Sequence, residues 1–343
     1  METRKIQQVG GGTYTVSLPK EWAQQAEVSA GTVVDLHTHI DGLLVIQAGD
    51  CDHGATGPVE ITIPTDGTDA VEQTLRAAYA AGAAEIRLTA PQGFSADQRR
   101  VVDRVARNLT GVAVAEESAT AVTVRTMLDA AEVSISQSVR QLQFVALSMH
   151  RDAAAALAGE RTVEQPADRD DQADRLYAMI ERHFERGLSR LDEVDALGLT
   201  RPELFQLWAT ARELERVADH AERIARVAAR LESPVASDLG DDIGEISDTA
   251  QRVVEDAVSA VIDDAGVDTA RQALCARDRV RADATDLDRR LFEAPESDYR
   301  LTHVVDSLER TAEHGGNIAE LGLRRAVRDG ALSPAADPVD ADD

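Results

Sequence analysis

Leu214-Glu215-Arg216-Val217-Ala218-Asp219-His220-Ala221-Glu222-Arg223-Ile224-Ala225 returns, with changes, as Leu308-Glu309-Arg310-Thr311-Ala312-Glu313-His314-Gly315-Gly316-Asn317-Ile318-Ala319. The offset is 94 residues throughout, as from Glu215 to Glu309. Each copy sets two carboxylates four residues apart, Glu215/Asp219 and Glu309/Glu313, which places them on one face of a helix. A His follows the second acid in both copies. About ten acidic pairs at this spacing are expected by chance in so acidic a chain, so only the duplication singles these two out. A repeat that keeps acids, His and apolar positions in one register implies two copies of one helical unit in the C-terminal half.

Outward from the repeats, almost everything beyond Leu128 carries a helical period. Leu128, Ala131, Ile135, Ser138, Leu142, Val145 and Met149 step by three and four, as do Ile243, Ile246, Ala250, Val253, Ala257 and Ala260. Thr200-Arg201-Pro202-Glu203 reads as a capping box with Pro in the first turn, opening the helix that carries the first motif. Six long helices are expected, near 129–158, 168–196, 201–232, 241–264, 268–293 and 297–328, grouped as two sets of three.

Ahead of them, from Val59 to Met127, the period alternates between strand and helix in the order β-α-β-α-β-β, with a capping box at Ser95-Ala96-Asp97-Gln98. Residues 1–49 read as strands and turns. Thr13 to Leu18 and Val34 to Ile40 alternate, and Asp41-Gly42 before Leu43-Leu44-Val45-Ile46 is a hairpin signal. Leu36, Thr38 and Ile40 then take the core side, and His37 and His39 face solvent rather than joining Cys51 and His53 at a zinc ion. The fold class is multidomain: an all-β N-terminal domain (1–49), a linker (50–58), a small α/β module (59–127), an all-α pair of three-helix bundles (128–232 and 233–328), and an acidic tail (329–343).

The charge balance is 62 acids against 36 bases, a net of −26, and the only lysines are Lys5 and Lys20. Spread along the whole chain, this reads as the adaptation of a halophile to high salt; it bears on solubility rather than fold. The two cysteines, Cys51 and Cys275, match no metal or redox spacing, so a reducing compartment without a disulfide framework is expected. No apolar run reaches the ~18 residues of a spanning helix and no signal-peptide core follows Met1, so a cytoplasmic protein, not an integral membrane protein, is expected.

The doubled Leu-Glu-Arg-x-x-Asp/Glu-His, each on the last helix of a three-helix unit, resembles the PhoU family of phosphate-uptake regulators over about residues 125–328. The resemblance implies metal ions or small metal clusters, divalent or iron-type, held by acidic pairs on the bundle surface. Carried over by position, Glu215 and Asp219 belong to a first site and Glu309 and Glu313 to a second. A further acidic pair on the middle helix is implied, at Asp170 and Asp174 in the first half. In the second half Asp278 matches, but its i+4 partner is Ala282, and Asp283 is out of register. Carboxylates one turn apart suit hard cations and iron. The alternative for these acids is a solvated stripe, and His220 and His314 read as bundle hydrogen-bonding groups rather than ligands. A carboxylate-bridged metalloenzyme needs Glu-x-x-His pairs, which neither motif contains, and no enzymatic activity is expected.

Gly10-Gly11-Gly12-Thr13-Tyr14-Thr15-Val16-Ser17-Leu18-Pro19-Lys20-Glu21-Trp22, with the later Gly31-Thr32-Val33-Val34 and the Asp41-Gly42 hairpin, resembles the swapped-hairpin domain of the AbrB and MazE proteins over residues 1–49. That resemblance implies a homodimer through interleaved hairpins. It also implies either DNA binding through Arg4, Lys5 and Lys20 or dimerisation alone. No base occurs between Lys20 and Arg76, which concentrates positive charge at this end. Together the resemblances imply a regulator of phosphate uptake and phosphate-dependent signalling that docks on a transporter or signalling protein. The alternative is an AbrB-type transcription factor whose helical bundle senses a ligand.

Overall fold

A computed structural model describes residues 3–10, 12–39, 42–48, 58–63, 67–159, 166–231, 235, 237–263, 265–294 and 298–331. Ile40, Asp41, Cys51, His53 and the tail beyond Ala331 lie outside these, as does most of the expected linker.

The N-terminal residues form two small antiparallel sheets. β1 (Gln7–Val9) pairs with β2 (Thr13–Thr15), a short helix α1 (Lys20–Gln25) follows, and β3 (Val34–Thr38) pairs with β4 (Leu44–Ala48). The strand expected to run to Leu18 stops at Thr15. The expected facing of the second hairpin is reversed. Leu36 is 61% exposed, whereas His39 is 2% exposed, with Nδ1 3.6 Å from Asp195 Oδ1. The hairpin turns its histidine edge toward the helical body, which leaves its aliphatic face open.

In the α/β module, β5 (Pro58–Thr62), α2 (Thr68–Ala80), β6 (Glu85–Thr89), α3 (Ala96–Asn108), β7 (Val112–Glu117) and β8 (Ala121–Thr126) follow in the expected order. The sheet order is β5-β6-β8-β7; β5 and β6 are parallel, joined through α2, and the other pairs are antiparallel. Period-two alternation buries Ile86 and Leu88 against Val71, Leu75, Val102 and Val105 of the two helices, while Glu85 pairs with Arg125. Ser95 and Gln98 make the reciprocal capping box that opens α3.

Seven helices complete the described chain: α4 (Ile135–Leu157), α5 (Pro166–Ser189), α6 (Leu191–Ala196), α7 (Arg201–Ala228), α8 (Ser237–Ile262), α9 (Gly266–Glu293) and α10 (Leu301–Arg328). The helix expected over 168–196 breaks at Arg190, which is extended (φ −124°, ψ 117°). The break lets α6 fold back and bury Glu193, whose carboxylate accepts from His183 Nδ1 at 2.6 Å and from Arg186 Nε at 2.8 Å. The first expected helix also starts late, because Ser134 caps α4 after a separate turn at Ala130–Glu132.

α4 and α5 pack on α7, α8 and α9 pack on α10, and α7 packs along α10. The apolar interior does not divide between residues 232 and 233. One cluster joins Leu142, Val145 and Leu214 to Val253, Ala257 and Ile318, and the other joins Ala153, Leu157 and Ile224 to Val280, Leu287 and Leu308. The six long helices therefore share a continuous core. Among the described residues no helix is long and apolar enough to cross a membrane.

The α/β module is held to this body at the C-terminal end of α2. Arg182 of α5 donates to Tyr79 O at 2.7 Å and Arg186 donates to Gly82 O at 3.2 Å. Cations at a helix C-terminus complement its partial negative charge.

Candidate functional site

The capping box at Thr200 and Glu203 sets the start of α7, and its apolar seam, Leu214, Val217, Ala218, Ala221 and Ile224, is buried. Burying that seam leaves Glu215, Asp219 and Glu222 along one margin of the helix, half-buried and facing α5. α5 brings Asp170 and Asp174 to the same margin. Their proximity is visible in their ionisation. Burial pushes Asp170 up to about 7, with Glu222, Asp174 and Asp219 adding to the effect. Burial and Asp219 push Glu215 up to about 7, Asp174 and Asp170 adding and Arg216 opposing. Asp174 and Asp219 are raised as well, first by burial. Burial does most of this, and the neighbouring carboxylates add to it because each destabilises the charge of the next.

Three bases of α7, Arg216, Arg223 and Arg226, act against the raised affinity of Asp219. Arg216 sits 3.3 Å from Glu215, Arg226 pairs with Glu222 one turn on, and Arg76 reaches from α2 to oppose the shift of Asp174. No ion pair on this face bridges Glu215 to Asp219 among the described residues. The oxygen-rich donor set suits a hard cation. Among the described residues no group of three or more acidic, His or Cys side chains is placed to hold one metal ion.

The second pair is arranged differently. Arg281 of α9 lies across it, with Nε 3.8 Å from the Glu309 carboxylate and Nη2 3.3 Å from Glu313 Oε1. Arg310 Nη1 donates to the other oxygen of Glu313 at 2.9 Å. Asp278 is exposed and accepts from its neighbour Arg277 at 2.8 and 3.0 Å. Burial and Glu313 raise Glu309, against Arg281 and Arg310. The structure thus unites four of the seven acids selected from the sequence, and pairs the remaining three with arginines.

The motif histidines meet where the two copies face each other. His220 and His314 stack at 5.4 Å between ring centroids, and His314 Nδ1 bonds to Glu213 Oε2 at 2.7 Å. His150 of α4, 1% exposed, donates from Nε2 to Val217 O at 3.1 Å and to Thr311 Oγ1 at 3.0 Å. Residues 217 and 311 are the same position of the two copies. His150, Arg76, Arg281 and Glu213 were not selected from the sequence, since each lies outside the repeated motif or at a position where the copies differ.

At the other end of the chain, Arg4 and Lys5 precede β1 and Lys20 opens α1, all three exposed. Eight large apolar residues of the same segment, among them Ile6, Tyr14, Val33, Leu36 and Leu44, are exposed too.

Residues 139–228 match the family described as PhoU domain, and residues 7–49 match the family described as antidote-toxin recognition MazE, bacterial antitoxin. No curated protein matches the chain. The crystal structure of PhoU from Pseudomonas aeruginosa superposes with a TM-score of 0.50 at 22% identity, covering 57% of this chain and 96% of that one. The phosphate transport system regulatory protein PhoU from Streptococcus pneumoniae gives a TM-score of 0.44 at 16% identity, covering 58% and 96%. The helical body has a PhoU-like fold, and the segment ahead of the α/β module is MazE-like.

Proposed function

We propose that this protein regulates phosphate uptake and phosphate-dependent signalling without catalysing a reaction, and that it does so through a metal-bearing acidic face. The observation that carries the reading is the convergence of Asp170, Asp174, Glu215 and Asp219 from two helices, within the segment that matches the PhoU domain. These four carboxylates would hold a divalent or iron-type cation, which would neutralise the face and draw it together. A transporter or signalling protein would then read a rigid, neutralised surface instead of a spread, charged one. Docking in this reading depends on metal occupancy.

The N-terminal segment would join two chains. Its open aliphatic residues are what an interleaved hairpin of a second copy would cover, and the MazE match spans the same residues. Arg4, Lys5 and Lys20 would then lie twice on one dimer, a surface suited to nucleic-acid phosphates. At molar salt the Debye length falls to about 3 Å, so the net negative charge of the chain would not repel DNA at a distance.

Elemental analysis of protein purified without chelator or affinity metal tests the central claim. The wild type is expected to carry iron, manganese or zinc in stoichiometric amount, and Glu215→Ala/Asp219→Ala to lose it and to deregulate phosphate uptake in cells. A metal-free wild type, or normal uptake control in the variant, would count against the reading.

A further inference from the structure

We infer that the second acidic pair, Glu309/Glu313, carries its own counter-cation, Arg281, and takes no metal, so that metal loads on one face of the duplicated body only. The one-sided loading rests on the metal reading of the first face; the role of Arg281 stands on the second face alone.

Arg281 places its guanidinium across both carboxylates of the pair, 3.8 Å from Glu309 and 3.3 Å from Glu313. A planar guanidinium offers five donors and cannot lose its proton in a protein, so it supplies permanently the bridging charge that a divalent ion would supply on loading. Arg310 occupies the remaining oxygen of Glu313. A metal entering here would have to displace one arginine from between its ligands and approach a second. On the first face Arg216 lies 3.3 Å from Glu215 and its charge also reaches Asp219, but the arginine comes from α7 itself rather than from the facing helix α5, which contributes Asp170 and Asp174.

The exchanges between the copies belong together. Glu222 of the first copy corresponds to Gly316 of the second, at the same offset of 94 residues. A Cβ on Gly316 would lie 2.6 Å from Arg277 Cδ, so the loss of that side chain makes the space in which the Arg277 stem runs along α10. Arg277 and Arg281 are one turn apart on α9. α9 therefore lays two arginines against α10, where α5 lays Asp170 and Asp174 against α7. The second copy lacks the carboxylates of Asp174 and Glu222, replaced by Ala282 and Gly316, and its remaining pair on α10 is faced by Arg281.

The experiment uses full-length protein stripped with EDTA, dialysed against Mn2+ and assayed for bound manganese, with circular dichroism to verify folding. Wild type and Glu309→Gln/Glu313→Gln are expected to hold the same amount. Arg281→Glu, which sets a third acid beside the pair, is expected to double it, and adding Glu309→Gln/Glu313→Gln is expected to abolish the gain. A halved manganese content in Glu309→Gln/Glu313→Gln would overturn the inference, as would unchanged content in folded Arg281→Glu. Should Arg281→Glu fail to fold, Arg281→Gln replaces it, and a Mn2+-dependent rise in its melting temperature that needs Glu309 and Glu313 is the expected result; no rise would overturn the inference. A metal-free wild type would refute the reading of the first face, while uptake of one equivalent by Arg281→Glu would still uphold the role of Arg281 at the second.

Discussion

His150 shows how much a single residue decides at the seam of this molecule. Thr311 donates its hydroxyl to Ser307 O at 2.9 Å, so its oxygen accepts from His150, and the imidazole proton must reside on Nε2. Nδ1 is then an unprotonated nitrogen with no hydrogen-bond partner, fully buried. Protonation would create a buried donor with nothing to accept it, and burial pulls the pKa of His150 down to about 4. The unfolded chain, with an ordinary His near 6.5, binds more protons than the folded one between these two values. Stability from this residue is therefore complete above pH 6.5 and is lost as pH falls toward 4. Other groups titrate in the same window, so the effect is read as a difference from His150→Gln. Urea denaturation at pH 7 and pH 4.5 should show the wild type losing up to about 2 kcal/mol more than the variant. Equal losses in the two proteins would mean that His150 is not held neutral by its burial.

At the scale of the element, the two glycines of the second motif have opposite roles. Gly in a helix interior costs about 1 kcal/mol relative to Ala, so adjacent glycines demand a close neighbour. α8 is that neighbour for Gly315: an added Cβ would lie 2.8 Å from Val253 Cγ1 and 3.1 Å from the Val254 backbone nitrogen. Gly316 meets only the flexible Arg277 stem. Gly315→Ala is expected to destabilise the protein by about 1–3 kcal/mol through the forced separation of α8 and α10. Gly316→Ala should fall between neutral and about 1 kcal/mol stabilising, as Arg277 swings aside. Thermal melts of the two variants at one pH and salt concentration check the contrast, and equal destabilisation would refute it. The break between α5 and α6 belongs to the same scale. Helical period continues through Arg190, and what ends the helix is burial of Glu193 by His183 and Arg186. Those partners come together only after the chain has turned.

Across the whole molecule, the open apolar residues concentrate at one end. Of the fifteen large apolar side chains exposed among the described residues, eight lie between Ile6 and Leu44, where Tyr14 is 71% and Val33 85% exposed. In the proposed dimer these residues would be covered by the second copy. In the proposed dimer, Leu36→Asp would bury a charge without a partner, so sedimentation of the full chain in high salt should change from dimer to monomer while helicity stays the same. Persistence of the dimer in Leu36→Asp would place the interface elsewhere. The continuous interior of the six long helices makes a related point, since cooperative unfolding of α4 through α10 follows from clusters that each draw on both repeats.

What the sequence determined by itself is the local and the periodic. The capping boxes at Ser95 and Thr200 appear where their residue types allow them, because a cap needs only atoms within four residues. The alternation from Val59 to Met127 and the three-four spacing beyond Leu128 specify the elements, since each side chain is assigned to a face by its own backbone. Duplication of the acidic motif placed Glu215 and Glu309 in equivalent settings. Only the tertiary structure decided that these settings differ. Asp170 and Asp174 of α5 come to lie against Glu215 and Asp219, whereas Arg281 of α9 comes to lie across Glu309 and Glu313. It also decided that His39 faces inward while Leu36 faces out, and that His150 joins the two copies. Contacts of this kind depend on helices many residues apart packing at one angle and one register, and a charge on the facing helix leaves no trace in the period of the helix it meets.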